Sequence, residues 1–182
     1  MSKPDADDRA RLEFFRLGVH YYVAGRFAGL TGLFPMAGNL LHHTVEMFLK
    51  GALVRIVGLD KLRNISHDLN AVWREFTTHF AIPDASDFGD AISELHRFER
   101  IRYPDKSTHE GMEATFAIYR SHRVEISGPG KPSPRYFLVL EDVDALAKLI
   151  FEKAQINPRF YLQSLRPEAI EFLSRENSHR LE

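Results

Sequence analysis

The chain has 182 residues, a formal net charge of −1 and no cysteine. This composition excludes disulfides, thiolate metal ligands and a cysteine nucleophile, and it disfavours a protein that binds duplex nucleic acid over a broad basic surface. The 44% of hydrophobic residues suffices for the core of one domain. The polar start MSKPDADDRAR lacks the apolar stretch of a signal peptide, and no apolar run approaches the roughly 20 residues that span a bilayer. We therefore expect a cytoplasmic protein without a membrane segment.

Apolar residues at helical intervals predict a first helix from about Asp8 to Leu30. After the turn at Pro35, a second helix is predicted to run to about Val57. Within it, the stretch Asn39–Arg55 has apolar residues on two neighbouring faces, which is typical of the central helix of a bundle. Close helix–helix contacts are predicted at three glycines of the first helix, namely Gly18, Gly25 and Gly29.

Gly58 is predicted to end the second helix, and Ser66 is predicted to cap a third. Pro83 then separates the third helix from a fourth, which begins near Ser86 and ends before Pro104. The core side of the third helix is predicted to be Leu69, Val72, Trp73, Phe76 and Phe80. The core side of the fourth is predicted to be Phe88, Ile92, Leu95 and Phe98.

The pattern changes after residue 105. Thr115–Arg120 and Arg135–Leu140 are rich in β-branched and aromatic residues, and the turn-rich SGPGKPSP lies between them, which predicts a β-hairpin or extended arm. A fifth helix is predicted from about Glu141 to Gln155, with three acids in its first turn (Glu141, Asp142 and Asp144), and a short terminal helix is predicted at about Pro167–Arg175. We therefore expect one domain over residues 1–182, with an insertion at 112–140 and a terminal helical extension at 158–182.

The predicted central helix contains an unusual polar set: His42, His43, Glu46 and Lys50. His42 and Glu46 are four residues apart, as are Glu46 and Lys50, so these side chains lie on one stripe. A metal site would use His42 and Glu46, but a third ligand at a recognisable spacing is missing, and the pattern is not H-E-x-x-H. We therefore predict a hydrogen-bonded polar seam between helices or at a dimer contact, with no metal and no other cofactor.

Three further stretches have a structural and a functional interpretation. At Ser66-His67-Asp68, a capped helix is favoured over a His/Asp pair near an anion-attracting helix N-terminus. From Arg97 to His109, cations at a helix end suit the helix dipole. Arginine with histidine also suits cleavage at an RNA 2′-hydroxyl, where histidine transfers a proton and arginine holds the phosphate.

In the predicted arm, a solvated hairpin is favoured over a surface for single-stranded nucleic acid. That surface would be formed by Arg120, His122, Arg123, Lys131 and Arg135.

The runs LLHHTVEMFLKGAL, SHDL and RYPD, in this order, resemble the HEPN domain family (higher eukaryote and prokaryote nucleotide-binding) over roughly residues 8–105. The resemblance implies an all-α, antiparallel up-and-down helical bundle that is commonly a homodimer. It also implies a role with a nucleotide or RNA, often beside a nucleotidyltransferase partner in a toxin–antitoxin or defence system.

Many members of that family are metal-independent RNases that use an arginine, four to six intervening residues and a histidine. Arg102 and His109 fit this spacing at its long end and are the candidate catalytic residues. Pro104 lies between them, whereas the family motif usually sits where a helix opens. We therefore expect a binding module, with an RNase as the alternative. The candidate ligand-binding residues are Arg100, Tyr103, Asp105, His67, Asp68 and Lys50.

Overall fold

The computed structural model describes residues 6–82, 85–99, 113–122 and 135–181. The helices of this part of the chain are α1 (Ala6–Leu30), α2 (Phe34–Val57), α3 (Leu59–Ile65), α4 (Leu69–Phe80), α5 (Gly89–Phe98), α6 (Leu140–Lys153), α7 (Arg159–Leu162) and α8 (Pro167–Ser174). Two strands, β1 (Glu113–Ala117) and β2 (Arg135–Val139), and two short 3-10 turns, Ala85–Phe88 and Arg120–His122, complete it. The predicted all-α class is confirmed. None of these helices is both long enough and apolar enough to cross a bilayer.

The long helices α1 and α2 form the centre of the bundle. The tight turn at residues 31–33 reverses the chain, and Gly32 adopts a φ of +85°, a left-handed conformation that glycine reaches without strain. α2 packs against α1 on one side and against α4, α5 and α6 on the others. Leu41, Phe48, Trp73 and Leu95 share one interior. The two apolar faces predicted for the central helix are therefore both buried.

The predicted helix–helix contacts are present at two of the three α1 glycines, whereas the third, Gly29, faces the Phe116 ring of β1. A methyl group on Gly18 would come within 2.5 Å of the Phe48 ring, and one on Gly25 would come within 2.7 Å of Leu41. Both partners lie on α2, so the absence of side chains lets the two backbones approach.

The region between α2 and α4 differs from the prediction. Gly58, with a φ of +80°, donates its N–H to the Val54 carbonyl and ends α2 as expected, but α3 begins at the next residue and was not predicted. Ser66 ends α3 with a φ of +57°. The cap of α4 is Asp68, whose carboxylate accepts the Ala71 N–H at 3.1 Å. The predicted Ser66 cap was wrong, because an N-cap needs extended backbone and Asp68 supplies it.

The strands also differ from the prediction, since β1 and β2 pair in parallel, with Glu113 opposite Arg135 and Ala117 opposite Val139. The predicted hairpin was therefore wrong. A parallel pair needs a crossover of a dozen or more residues, and the chain between the strands is long enough to make one. The strands are not an extended arm either, because Leu138 is buried and the Phe137 N–H donates to Glu94 of α5.

Near the start of α6, the role of one acidic residue differs from the prediction. Glu141 and Asp142 lie in the first turn as predicted, and both interact with Arg120. Asp144 was predicted to be a third acid of this turn, but it is completely buried and pairs with Arg26 of α1. Burial in the core, and not the helix dipole, therefore determines the role of Asp144. The short α7 was not predicted, whereas α8 lies where the terminal helix was expected.

Candidate functional site

Polar side chains from two regions of the chain surround a buried carboxylate on α2. We define the Glu46 cluster as His42, His43, Glu46 and Lys50 of α2 together with His67 of the turn between α3 and α4. The Glu46 side chain is fully buried, and Lys50 Nζ donates to Glu46 Oε1 at 2.7 Å. Lys50 also donates to the Ser66 carbonyl, so it joins α2 to the end of α3.

Two histidines approach the same carboxylate. His67 Nδ1 lies 3.0 Å from Glu46 Oε1 and 3.2 Å from Oε2, and His43 Nδ1 lies 3.4 Å from Oε2. Burial would raise the pKa of Glu46, but the hydrogen bonds from His43 and Lys50, with the charge of Lys50, outweigh burial and lower the pKa to about 2. Glu46 is therefore ionised at neutral pH.

His42 has a different environment from the other histidines of the cluster. It is 1% exposed, and its Nδ1 lies 3.0 Å from the Leu95 carbonyl oxygen of α5. A carbonyl oxygen only accepts, so Nδ1 carries the hydrogen and Nε2 has the free lone pair. That Nε2 atom has no hydrogen-bond partner among the described residues and lies 3.7 Å from Glu46 Oε2. Burial is the main cause that lowers the pKa of His42 to about 4, so the ring is neutral at pH 7.

Four imidazole rings follow one another across the bundle. The ring centroids are 6.3 Å apart for His96 and His42, 5.3 Å for His42 and His43, and 6.3 Å for His43 and His67. We call these four residues the histidine row. The His67 side chain is 49% exposed and that of His43 is 18% exposed, whereas His42 is buried. Solvent therefore reaches the row at the α3–α4 turn, and His96 at the other end of the row is also partly exposed.

The structure brings together two of the predicted ligand-binding residues. Lys50 and His67 both contact Glu46, whereas Asp68 does not join them, because its carboxylate caps α4. The other predicted site residues lie in segment 100–112, outside the described residues: Arg100, Arg102, Tyr103, Asp105 and His109. The chain enters this segment from the end of α5, where Leu95 is hydrogen-bonded to His42.

Sequence reasoning did not assign His96 to the site. Its Nδ1 atom is buried without a hydrogen-bond partner in the described part of the chain. The pattern around it predicted only an amphipathic helix, and no local spacing connects residues 42 and 96. The joining of His67 to Glu46 was missed for the same reason, because 21 residues separate them.

A second polar cluster lies in the core between α1, α6 and the C-terminal segment. The guanidinium of Arg26 pairs with Asp144 and donates to the carbonyls of Phe172, at 2.8 Å, and Arg175. The Tyr22 hydroxyl donates to Asp144 at 2.5 Å, and burial raises the pKa of both Tyr22 and Asp144. Arg26 and Asp144 are buried and their charged groups are paired, so this cluster connects α1 to α6 and to the C-terminal segment.

Two cavities of about 760 and 610 Å³ lie around the C-terminal residues. Leu181 lines both, with Arg159 in the larger and Lys148 in the smaller. Neither is lined by a residue of the Glu46 cluster or the histidine row.

No model of a known protein family, no curated protein and no solved structure matches this chain. The HEPN resemblance therefore stays a prediction. The geometry of the Glu46 cluster and of the histidine row is the basis for the functional proposals below.

Proposed function

We propose that this chain is a HEPN-like helical module that binds a nucleotide or RNA beside the histidine row. The observation that supports this most is the hydrogen bond from His42 Nδ1 to the Leu95 carbonyl. It holds the last turn of α5 against the row, and the chain continues from that turn into the segment that contains Arg100 and Arg102. We therefore propose that the ligand binds at the C-terminal end of α5, beside His96 of the row.

The charge around this end of α5 suits a phosphate-containing ligand. The stretch from His96 to His109 contains four lysines and arginines but only two acids: Arg97, Arg100, Arg102 and Lys106 against Glu99 and Asp105. A local excess of cations in a chain of net charge −1 favours binding of a short or single-stranded ligand, because phosphate contacts supply most non-specific affinity. The charge of Glu46 does not oppose this ligand, since Lys50 neutralises it within the cluster.

The assembly follows from the family resemblance. We propose a homodimer and a nucleotidyltransferase-type protein partner, within a toxin–antitoxin or defence system. One chain has a mass of 20.9 kDa, so light scattering on the purified protein is expected to give about twice this value. A monomer at every concentration tested would contradict the dimer.

RNA binding is tested by fluorescence anisotropy with a labelled single-stranded oligonucleotide at several salt concentrations. The double variant Arg100→Ala/Arg102→Ala is expected to bind at least about tenfold more weakly. It should also reduce the salt slope by about 1.4, which is the value for the loss of two phosphate contacts on a single strand. The matched control Arg9→Ala/Arg16→Ala removes the same charge from exposed positions of α1 and should change affinity less than twofold. Equal weakening in both double variants would contradict the proposed site.

The RNase alternative, with Arg102 and His109 as catalytic residues, is tested in the same samples without divalent metal. A binding module leaves the RNA intact on a gel. Cleavage by the native chain that His109→Ala abolishes would replace the binding proposal by the catalytic one.

A further inference from the structure

Two acceptor atoms of the Glu46 cluster face each other, and no side chain in the described part of the chain places a donor between them. The Nε2 lone pair of His42 and the carboxylate atom Oε2 of Glu46 are 3.7 Å apart, and both side chains are at most 1% exposed. The Nδ1 hydrogen of His42 is already donated to Leu95. A buried pair of facing acceptors is unfavourable unless a cation or a water molecule lies between them.

A third donor atom completes a ligand set. His43 Nδ1 lies 3.4 Å from the same Oε2 atom of Glu46, and the ligand atoms of His42, His43 and Glu46 all lie within 4.8 Å of one another. A metal held at 2.0–2.2 Å by nitrogen and oxygen atoms in tetrahedral geometry places those atoms roughly 3.4 Å apart. The two separations from Glu46, 3.4 and 3.7 Å, need only a small adjustment, and the two histidine atoms, within 4.8 Å of each other, must come closer together.

The surroundings of the three residues also suit coordination. Metal-binding histidines commonly donate their other ring N–H to a backbone carbonyl, as His42 does to Leu95. On the carboxylate, Lys50 donates to Oε1 at 2.7 Å, whereas the contacts of Oε2 with His67 and His43 are longer, at 3.2 and 3.4 Å, so a metal at Oε2 replaces weaker hydrogen bonds. In the metal-free chain His43 hydrogen-bonds to Oε2 through Nδ1. The same atom binds a metal when the hydrogen of the neutral ring lies on Nε2, so coordination requires a change of tautomer but no net loss of a proton.

We propose that His42 Nε2, His43 Nδ1 and Glu46 Oε2 form a site for a divalent transition metal, with Zn²⁺ as the probe. Two imidazoles and one carboxylate suit Zn²⁺ better than Mg²⁺ or Ca²⁺, which prefer all-oxygen ligands. Three protein ligands leave a fourth position for water on the side of His67, where solvent reaches the histidine row. The ammonium of Lys50 opposes the cation, so the affinity should be lower than that of a dedicated structural zinc site.

The site is tested by calorimetric titration of Zn²⁺ into the metal-free full chain, and by the visible spectrum of the chain with Co²⁺. One equivalent is expected to bind, and the Co²⁺ spectrum should show the intense bands of four-coordinate geometry. His42→Asn and His43→Asn should each weaken Zn²⁺ binding at least about tenfold. The matched control is His79→Asn, because His79 lies 3.6 Å from Glu75 at the same four-residue spacing, but on the surface. It should change the affinity less than twofold.

Thermal melts separate loss of the site from loss of the fold. Because the His43 side chain is 18% exposed, we expect His43→Asn to remain folded. Zn²⁺ should raise the Tm of the native chain and of His79→Asn, but not that of His43→Asn, and a chelator should reverse the rise. Absence of stoichiometric binding, or unchanged binding by His43→Asn, would overturn the proposal. RNA titrations in chelator are independent of this result, so either proposal can fail without the other.

Discussion

At Glu46, one buried carboxylate is surrounded by an ammonium and three imidazoles, yet these groups are not equivalent. Lys50 and His67 contact Oε1, and His67 and His43 approach Oε2, but Oε2 also faces Nε2 of His42, which has no hydrogen-bond partner among the described residues. This unequal pairing distinguishes the Glu46 cluster from the Arg26–Asp144 pair, where both charged groups have partners. Incomplete pairing in a buried cluster is a cost to stability, and the two clusters should therefore respond differently to pH and mutation.

The Glu46 cluster should make folding of the metal-free protein depend on pH between 7 and 5. The pKa of His42 falls from 6.5 in the unfolded chain to about 4 in the fold, where Glu46, His43 and Glu99 face it. At pH 5 the unfolded chain therefore binds the proton and the fold does not, which reduces the free energy of unfolding by about 2 kcal/mol relative to pH 7. The pKa of Glu46, at about 2 in the fold, keeps its contribution intact at pH 5 and loses it only in stronger acid.

Urea denaturation at the two pH values, in chelator, measures this effect. His42→Asn retains a donor for the Leu95 carbonyl but does not titrate. Most of the difference of about 2 kcal/mol between the two pH values should therefore disappear in this variant. His79→Asn, on the surface, should keep it. The same pH dependence in native chain and His42→Asn would show that other groups cause it.

The Arg26–Asp144 pair predicts a large effect of a single substitution. Arg26→Met leaves the buried charge of Asp144 without its partner and should lower the free energy of unfolding by about 3 to 5 kcal/mol in urea denaturation. Arg26→Met/Asp144→Leu should cost less than Arg26→Met alone. The control Arg16→Met breaks an exposed pair with Glu13 and should cost less than about 1 kcal/mol. Additive losses in the double variant would argue against coupling of the two charges.

At the scale of the elements, the contact of α1 with α2 depends on backbone approach. Gly18 faces the Phe48 ring so closely that a methyl group would lie 2.5 Å from it, whereas a methyl group on Gly89 of α5 would meet no atom of the described residues within 4 Å. Replacing glycine by alanine is therefore expected to lower the free energy of unfolding at Gly18 but not at Gly89.

Gly18→Ala should lower the free energy of unfolding by about 1 to 3 kcal/mol, because overpacking exceeds the gain in helix propensity. Gly89→Ala should leave it unchanged or raise it by up to about 1 kcal/mol, because only the propensity term remains. Urea denaturation of both variants checks this contrast. Equal effects at the two positions would mean that the α1–α2 contact adapts to a methyl group without cost.

For the whole molecule, the C-terminal segment is integral to the bundle. Arg26 donates to the carbonyls of Phe172 and Arg175, and Phe27 contacts Phe172 edge to face at 4.9 Å between ring centroids. Leu173 is buried in the core. The extension predicted at 158–182 therefore closes one side of α1.

Truncation after Leu165 should lower the free energy of unfolding by at least about 3 kcal/mol, because a buried guanidinium loses two acceptors and the core loses Leu173. The same truncation in Arg26→Met/Asp144→Leu should cost less, since no buried charge remains. Urea denaturation of the four proteins measures both effects. A truncated chain as stable as the full chain would show that residues 166–182 are a separable extension.

The sequence by itself determined most helices of the bundle and the α2 part of the Glu46 cluster. Helical periodicity relates residues three or four positions apart, so the burial of Phe48 and the stacking of His42, Glu46 and Lys50 follow from local spacing. Only the tertiary structure decided that His67 and His96 join that stripe, that Asp144 meets Arg26, and that β1 and β2 run parallel. These contacts connect distant parts of the chain. The packing of whole helices and strands determines these contacts, and no short-range pattern in the sequence predicts that packing.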